Sequence, residues 1–274
     1  MPELPEVEVV RRYLDEHLPG SRIESVDVKL PRLLKNASPE AFKTALKGQV
    51  FAAVRRKGKY LVLGLDGPKS LLVHLRMTGR LVWKADPAAP LPPYTRIVFQ
   101  LSRGVLAYGD VRTLGELWLI PSQGSSGVAG FDALGPDALD PKLTAEGFAR
   151  ALRAGRGTVK SFLLNQRHLA GVGNIYADEA LFLAGIRPER SCAAVSAQEA
   201  ARLLRAVRQV FETSIESGGT TFRDFLDGSG REGGNAANLY VYGREGKPCR
   251  VCGTAIELTH IAGRGTRFCP KCQS

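Results

Sequence analysis

Two constellations in the 274-residue sequence could carry chemistry, one at each end. The chain begins Met1-Pro2-Glu3-Leu4-Pro5-Glu6-Val7-Glu8. Removal of Met1 would leave a secondary amine at Pro2, able to attack an electrophilic carbon and condense to an iminium. A free α-amino group titrates roughly two or more units below a lysine, so a useful fraction is nucleophilic near neutral pH. With Met1 in place that nitrogen is an amide and cannot form a Schiff base. Glu3 lies beside it and can give or take a proton. The same octapeptide also reads as the proline-containing start of an ordinary helix.

At the other end stands Cys249-x2-Cys252-x16-Cys269-x2-Cys272, the spacing of a four-cysteine zinc ribbon. Two disulfides or four free thiols share that spacing, but the chain shows no charged-then-apolar secretion leader. A closed four-cysteine site holds one structural Zn2+ and does no catalysis; no organic cofactor is implied. His260 lies between the knuckles, where four thiolates already complete a tetrahedron, and Cys192 stands apart. Arg264 and Arg267 would project from a short metal-pinned hairpin, a low-entropy way to present cations to phosphate.

The rest of the chain must position these ends. Val7, Val10, Leu14 and Leu18 recur at helical spacing up to a stop at Pro19-Gly20. The positive end of that helix would lie beside the amine and oppose its protonation. Residues 22–120 read as short β-runs broken by Gly, Pro and Asp: 26–30, 50–54, 60–63, 70–73, 96–101 and 105–108. Only 39–46 looks helical among them, and 84–93 is a proline-rich loop. Such strands suggest an antiparallel sandwich. A Ser/Gly/Pro-rich hinge follows, and then helical periodicity over 144–154, 157–165, 174–184 and 196–216, the last opened by a Ser196/Glu199 capping box. Residues 217–238 have the composition of a long mobile loop. The predicted domains are therefore 1–125, a linker at 126–140, a helical domain at 141–243 and the ribbon at 244–274.

Composition narrows the partners. With 38 Lys+Arg against 27 Asp+Glu, the net charge of +11 suits a polyanion, most simply nucleic acid. No apolar run is long enough to span a membrane, so a soluble chain is expected.

The segments Pro2–Glu8, Arg56-Lys-Gly-Lys-Tyr60, His74-Leu-Arg-Met-Thr-Gly79, Gly171-Val-Gly-Asn-Ile-Tyr-Ala177, Gly218-Gly-Thr-Thr221, Val241-Tyr-Gly-Arg244 and the terminal ribbon occur in one order. Together they resemble the bacterial formamidopyrimidine-DNA glycosylases, from residue 2 to the last cysteine. The resemblance implies an α+β fold: an N-terminal antiparallel β-sandwich with flanking helices, a helix–two-turns–helix domain and the zinc ribbon. It implies base excision repair of oxidised purines in double-stranded DNA in the bacterial cytoplasm, at the nucleoid. The activities would be glycosylase and abasic-site lyase. A monomer suffices for such a site.

Residue by residue, the resemblance makes Pro2 the nucleophile, Glu3 the acid/base that assists sugar opening, and Glu6 a carboxylate that organises the site. Lys59, rather than the nearby Lys57, matches the proton donor of β-elimination, and Arg264 the group assigned to δ-elimination. His74, Arg112, Arg156 and Asn174 fall at DNA-contact positions, as does Tyr94, where many relatives carry histidine. Lys160 matches a lysine implicated in handling the oxidised base. Met77, Arg112 and Leu114 correspond to a three-residue wedge that fills the gap left by an everted nucleotide; Leu114 stands where phenylalanine is common. Loop 217–238 matches a flap over that nucleotide, although Gly234–Asn238 lacks the aromatic of some relatives. Two other readings fit parts of the pattern: an endonuclease VIII-type glycosylase for oxidised pyrimidines, and a zinc-ribbon DNA-binding protein that does not cut.

Overall fold

The computed structural model describes residues 2–274; the expected loss of Met1 lies outside them. The chain divides into two compact units, Met1–Asp132 with Ile215–Ala236 and Ala133–Ser214 with Ala237–Ser274.

The first unit opens with helix α1 (Leu4–His17). Its apolar positions recur every three or four residues, and Val7, Val10, Leu14 and the following Leu18 are all fully buried. Truncating one of them, such as Leu14→Ala, would cost about 2–5 kcal/mol. Strand β1 (Ile23–Val28) and helix α2 (Pro39–Leu46) come next, and the Ser38 hydroxyl caps α2 by accepting from the Ala41 amide at 3.2 Å. Seven further strands follow: β2 (Phe51–Lys57), β3 (Tyr60–Leu65), β4 (Lys69–His74), β5 (Gly79–Lys84), β6 (Thr95–Leu101), β7 (Val105–Asp110) and β8 (Glu116–Pro121).

All of their pairings are antiparallel, in two four-stranded sheets ordered β1-β6-β7-β5 and β2-β3-β4-β8. Leu61, Leu63, Leu71, Val73 and Leu117 from one sheet share a core with Leu81, Ile97, Phe99 and Leu106 from the other, and α1 adds its stripe. That is the expected sandwich. Strands β5 and β8 lie outside the predicted β-runs, because the first begins at a glycine and the second mixes Glu and Trp into an apolar run.

Residues 215–236 belong to this unit, and their loop composition hides a built structure. Phe225 is in the sandwich core, Trp83 N donates to Gly228 O at 2.9 Å, and Lys84 Nζ donates to Ser229 O at 2.9 Å. The Asp227 carboxylate accepts from the amides of Ser229 and Arg231, an Asx-type turn. Gly233 packs so close to the backbone of Gly218 and Gly219 that a Cβ would overlap their carbonyls. The turn-forming residues here make turns, and Phe225 anchors the segment. The hinge sequence is likewise a bonded turn, with Asp132 accepting from Ser125, Ser126 and Gly127 before a four-residue helix, α3 (Ala129–Asp132).

The second unit carries α4 (Ala145–Ala154), α5 (Val159–Leu164), α6 (Asn174–Ala184) and α7 (Ala197–Glu216). The capping box predicted for α7 is present: Glu199 N donates to Ser196 Oγ at 3.2 Å and Ser196 N to Glu199 Oε2 at 2.8 Å. The unit ends in the hairpin β9 (Glu257–Ile261) and β10 (Arg264–Phe268). Its two-residue turn, Ala262-Gly263, has φ of 50° and 69°, as a type I′ hairpin requires. No helix among the described residues is long and apolar enough to cross a membrane.

Candidate active site and nucleic-acid interface

Around the start of α1, carboxylates do the organising. Glu3 is the helix N-cap and forms a capping box with Glu6, whose Oε2 accepts from the Glu3 amide at 2.8 Å. The other Glu6 oxygen accepts from the Thr220 amide at 2.9 Å, so one carboxylate joins the N-terminal segment to loop 217–238. Glu3 and Glu6 are each 1% exposed, and Pro2 is buried with them. Hydrogen bonds to charged acceptors are worth about 1.5–3 kcal/mol each, enough to hold a terminal residue against fraying.

Lys59 sits in the tight turn between β2 and β3, and that turn is hitched to α1. Arg56 Nε donates to Glu8 Oε2 at 3.0 Å while its Nη1 donates to Gly58 O at 2.9 Å. Glu8 also holds Arg11 and Arg12. Burial raises the Glu8 carboxyl, and the hydrogen bonds from Arg11 and Arg56 more than reverse it, leaving it below its ordinary value. The helix that carries Pro2 and the turn that carries Lys59 are thus one braced part.

His74 pairs with Tyr60 across β3 and β4, and their rings meet edge-on at 4.5 Å. Burial, followed by the charges of Arg76 and Lys59, pushes the His74 imidazole down to about 3. His74 is therefore neutral at physiological pH. Its Nδ1 accepts from the Arg76 amide at 3.0 Å, which leaves the proton on Nε2 as a donor.

Met77 lies in the loop between β4 and β5, half-buried; Arg112 and Leu114 lie in the loop between β7 and β8, both exposed. These two loops are adjacent. Tyr94 is 56% exposed, has φ of 61°, and carries the Arg96 guanidinium over its ring at 5.8 Å.

In the second unit three expected residues converge on one peptide. Asn174 Nδ2 donates to Gly265 O at 2.9 Å, and Lys160 Nζ donates to the same oxygen at 3.3 Å, next to Arg264 at the exposed tip of the hairpin. Asn174 is the first residue of α6, with Gly173 as the N-cap, and its Oδ1 has no hydrogen-bond partner among the described residues. Lys160 has no exposed surface. It is ion-paired with the equally buried Asp178 at 2.6 Å and bonded to Thr266 Oγ1 at 2.7 Å. Burial pushes the Asp178 carboxyl up, to about 6, with Lys160 and the Arg267 amide opposing it. Arg156 is exposed, two residues before the Thr158 cap of α5.

Sequence reasoning overlooked two positioning side chains here. Gln166 accepts from the Gly171 amide at 2.9 Å and donates to Val172 O at 2.8 Å, shaping the turn before Asn174. Glu179 accepts from the amides of Tyr240, Val241 and Tyr242, anchoring the chain that leads into the ribbon. Neither has a local signal, since each bonds backbone elsewhere in the fold.

The Sγ atoms of Cys249, Cys252, Cys269 and Cys272 lie within 4.8 Å of one another. Cys252–Cys269 at 3.4 Å and Cys249–Cys272 at 3.9 Å are far beyond the ~2.05 Å of a disulfide. They bracket the S···S separation of about 3.8 Å that ~2.3 Å Zn–S bonds impose in a tetrahedron. Amides of Val251 and Cys272 donate to Cys249 and Cys269 sulfur, as zinc knuckles do. The donor set fits one structural zinc, and Cys192 is a buried bystander.

Comparison with known proteins accounts for this architecture along nearly the whole chain. Family models match residues 1–117 (formamidopyrimidine-DNA glycosylase N-terminal domain), 134–225 (its H2TH domain) and 246–274 (a zinc finger found in FPG and IleRS). The formamidopyrimidine-DNA glycosylase of Pelotomaculum thermopropionicum is 44% identical over 274 residues, covering 100% of this chain and 99% of that protein. Among solved structures, MutM in complex with DNA containing carbocyclic 8-oxo-G is similar over the full length of both chains, at 34% identity and a TM-score of 0.89. The Lactococcus lactis Fpg bound to DNA containing an abasic site also covers both chains completely, at 33% identity and a TM-score of 0.90. With the sandwich, the helical unit and the four-cysteine ribbon in the same order, the chain belongs to the formamidopyrimidine-DNA glycosylase family.

Proposed function

We propose that the protein excises oxidised purines, 8-oxoguanine and formamidopyrimidines, from duplex DNA and then cuts the strand. The Pro2 amine, freed of Met1, attacks C1′ as the damaged base departs, and the sugar-bound nitrogen becomes an iminium. Glu3 moves the proton that opens the sugar. Lys59 serves β-elimination and Arg264 δ-elimination, leaving a one-nucleotide gap with phosphate at both ends. Chemistry at C1′ needs the nucleotide out of the stack, at a cost of a few kcal/mol. His74, Tyr94, Arg112, Arg156 and Asn174 offset that cost at the backbone, and Met77, Arg112 and Leu114 fill the gap. Cytosine is the expected opposite base.

The observation that carries this reading is the pair of bonds from Glu6, which binds the N-terminal segment and loop 217–238 into one site. A neutral His74 donating through Nε2 suits an uncharged donor to phosphate beside the charges of Arg76 and Lys59. Asn174 and Arg264 flank one carbonyl, a compact cationic and amide surface for a second phosphate. Lys160 is assigned to the support of that surface rather than to the base, because its ammonium is consumed by Asp178 and Thr266.

Borohydride trapping on a panel of duplexes tests the assignment. The expected result is a covalent adduct that forms faster with 8-oxoguanine opposite cytosine than with thymine glycol. Faster trapping of thymine glycol would make this a pyrimidine-directed enzyme. Salt-sensitive binding with no adduct on any lesion would make it a binding protein.

A further inference from the structure

The chain crosses from one sheet to the other twice at the same edge. The loop 75–78 joins β4 to β5, and the loop 111–115 joins β7 to β8. Their ends are paired, Gly79 with Asp110 in one sheet and His74 with Glu116 in the other. One buried carboxylate stands between them. Asp110, 1% exposed, accepts from the Thr78 hydroxyl at 2.5 Å through Oδ1, and from the Gly115 amide at 2.8 Å and the Tyr108 hydroxyl at 3.4 Å through Oδ2. Thr78 Oγ1 in turn accepts from the Arg112 amide at 2.9 Å. The backbone of Asp110 reaches further: its amide donates to Tyr94 O at 3.1 Å, and its carbonyl accepts from Arg96.

The outer side of the two loops is braced as well, by Arg76 on Glu116 and by Arg32 on Thr113. Both loops hold a non-glycine residue in the left-handed region, Arg76 at φ 53° and Thr113 at φ 54°. Such conformations persist only where their surroundings over-determine them. Each is the immediate neighbour of a wedge residue: Arg76 precedes Met77, and Thr113 separates Arg112 from Leu114. At Gly79 a side chain would overlap Leu75 O, and at Gly115 the Tyr108 hydroxyl, so the hub requires glycine at both loop ends. Burial and Asp110 push the Tyr108 phenol up, and it stays a donor.

We infer that Asp110 and Thr78 are positioning residues that lock the two crossover loops together, so that Met77, Arg112 and Leu114 enter the duplex as one preset wedge. This rests on the proposed lesion-excising function. Asp110 and Thr78 are both buried and act through the Arg112 and Gly115 amides. A preset wedge does not have to be assembled while the duplex is open, which lowers the entropic cost of probing each base pair.

The test is Thr78→Val, which keeps the shape and removes the hydroxyl, beside Thr78→Ser, which restores it. Unstacking is read by stopped-flow fluorescence of 2-aminopurine placed next to 8-oxoguanine in a duplex. Excision of 8-oxoguanine is compared with cleavage of a preformed abasic site. The expected result is that T78V slows the fluorescence step about tenfold and lowers excision about tenfold more than abasic-site cleavage, with T78S near wild type. An unchanged fluorescence step in T78V, or an equal loss in T78V and T78S, overturns the inference. So does an equal loss of excision and abasic-site cleavage. Borohydride trapping with wild-type protein in the same series separates the two layers. No wild-type adduct overturns the function together with this inference, whereas a normal wild-type adduct with an unaltered T78V overturns this inference alone.

Discussion

The two units present their functional groups by different physical means. In the first, single carboxylates gather backbone amides from distant segments: Glu6 takes Glu3 and Thr220, and Asp110 takes Gly115 while bonding Thr78. The parts so joined are already rigid, a helix and two sheets, and only their loops need fixing. In the second, the group to be presented sits on a two-stranded hairpin that could not stand alone. It is held by four thiolates on one side and by a buried ion pair and an asparagine on the other. The contrast suggests that where a large core exists a few charged hydrogen bonds suffice, and where it does not a metal and a desolvated pair replace it.

That contrast can be broken most forcefully at the metal. Structural zinc contributes roughly 10–16 kcal/mol in isolated finger peptides. Chelation is expected to remove hydrogen-exchange protection from Glu257–Phe268 and to abolish tight DNA binding, while the sandwich keeps its protection. Retained binding by the zinc-free protein would show that Arg264 needs no metal platform.

Next in size is the buried pair. Lys160→Met leaves Asp178 uncompensated and is expected to cost about 3–5 kcal/mol in denaturant unfolding, of which a Lys160→Met/Asp178→Leu double variant recovers a large part. If Lys160 instead reads the oxidised base, the single variant would change lesion preference with little loss of stability.

On the other side of the comparison, Glu6→Gln preserves shape and removes charge. Weakening hydrogen bonds worth about 1.5–3 kcal/mol is expected to slow turnover by roughly ten- to a hundredfold. DNA affinity should change little. A parallel collapse of affinity would mean that Glu6 holds the fold and not the site.

The smallest effect is that of His74. Its folded pKa is depressed from 6.5 to about 3, so the unfolded state binds the extra proton in that window. Its contribution to stability is complete above about 6.5 and is lost as pH falls toward 3. Between pH 7 and 6 the loss should be roughly 0.7 kcal/mol. Nitrogen NMR should find His74 neutral, protonated on Nε2, at pH 5; a charged ring there would contradict its assignment as a neutral donor.

Much of this was legible in the residues, where local chemistry and role coincide. The cysteine spacing, the Val7/Val10/Leu14 stripe, the Ser196/Glu199 box and α6 at Asn174–Ala184 all declare themselves within a few positions. What was hidden depends on partners far along the chain. Asp110 looks like a strand-ending residue, and Lys160 like a solvent-facing lysine, since lysine is almost never fully buried. Its partner Asp178 is 18 residues away, and Thr266 lies beyond the ribbon's first knuckle. Loop 217–238 was legible as a loop but not in its anchoring: glycine, asparagine and aspartate mark both mobile chain and tight turns, and the burial of Phe225 and the bonds from Trp83 and Lys84 involve residues far along the chain.

Whether the terminal amine is the nucleophile is decided by locating a trapped adduct. Protein shown by mass to begin at Pro2 is reduced with borohydride in the presence of 8-oxoguanine duplex, digested and mapped. The deoxyribose remnant is expected on the N-terminal peptide, at the Pro2 nitrogen, and Pro2→Gly, whose terminal amine is primary, is expected to turn over far more slowly at comparable DNA binding. A remnant on Lys59 or another lysine, or undiminished trapping by protein that retains Met1, would contradict that role for Pro2.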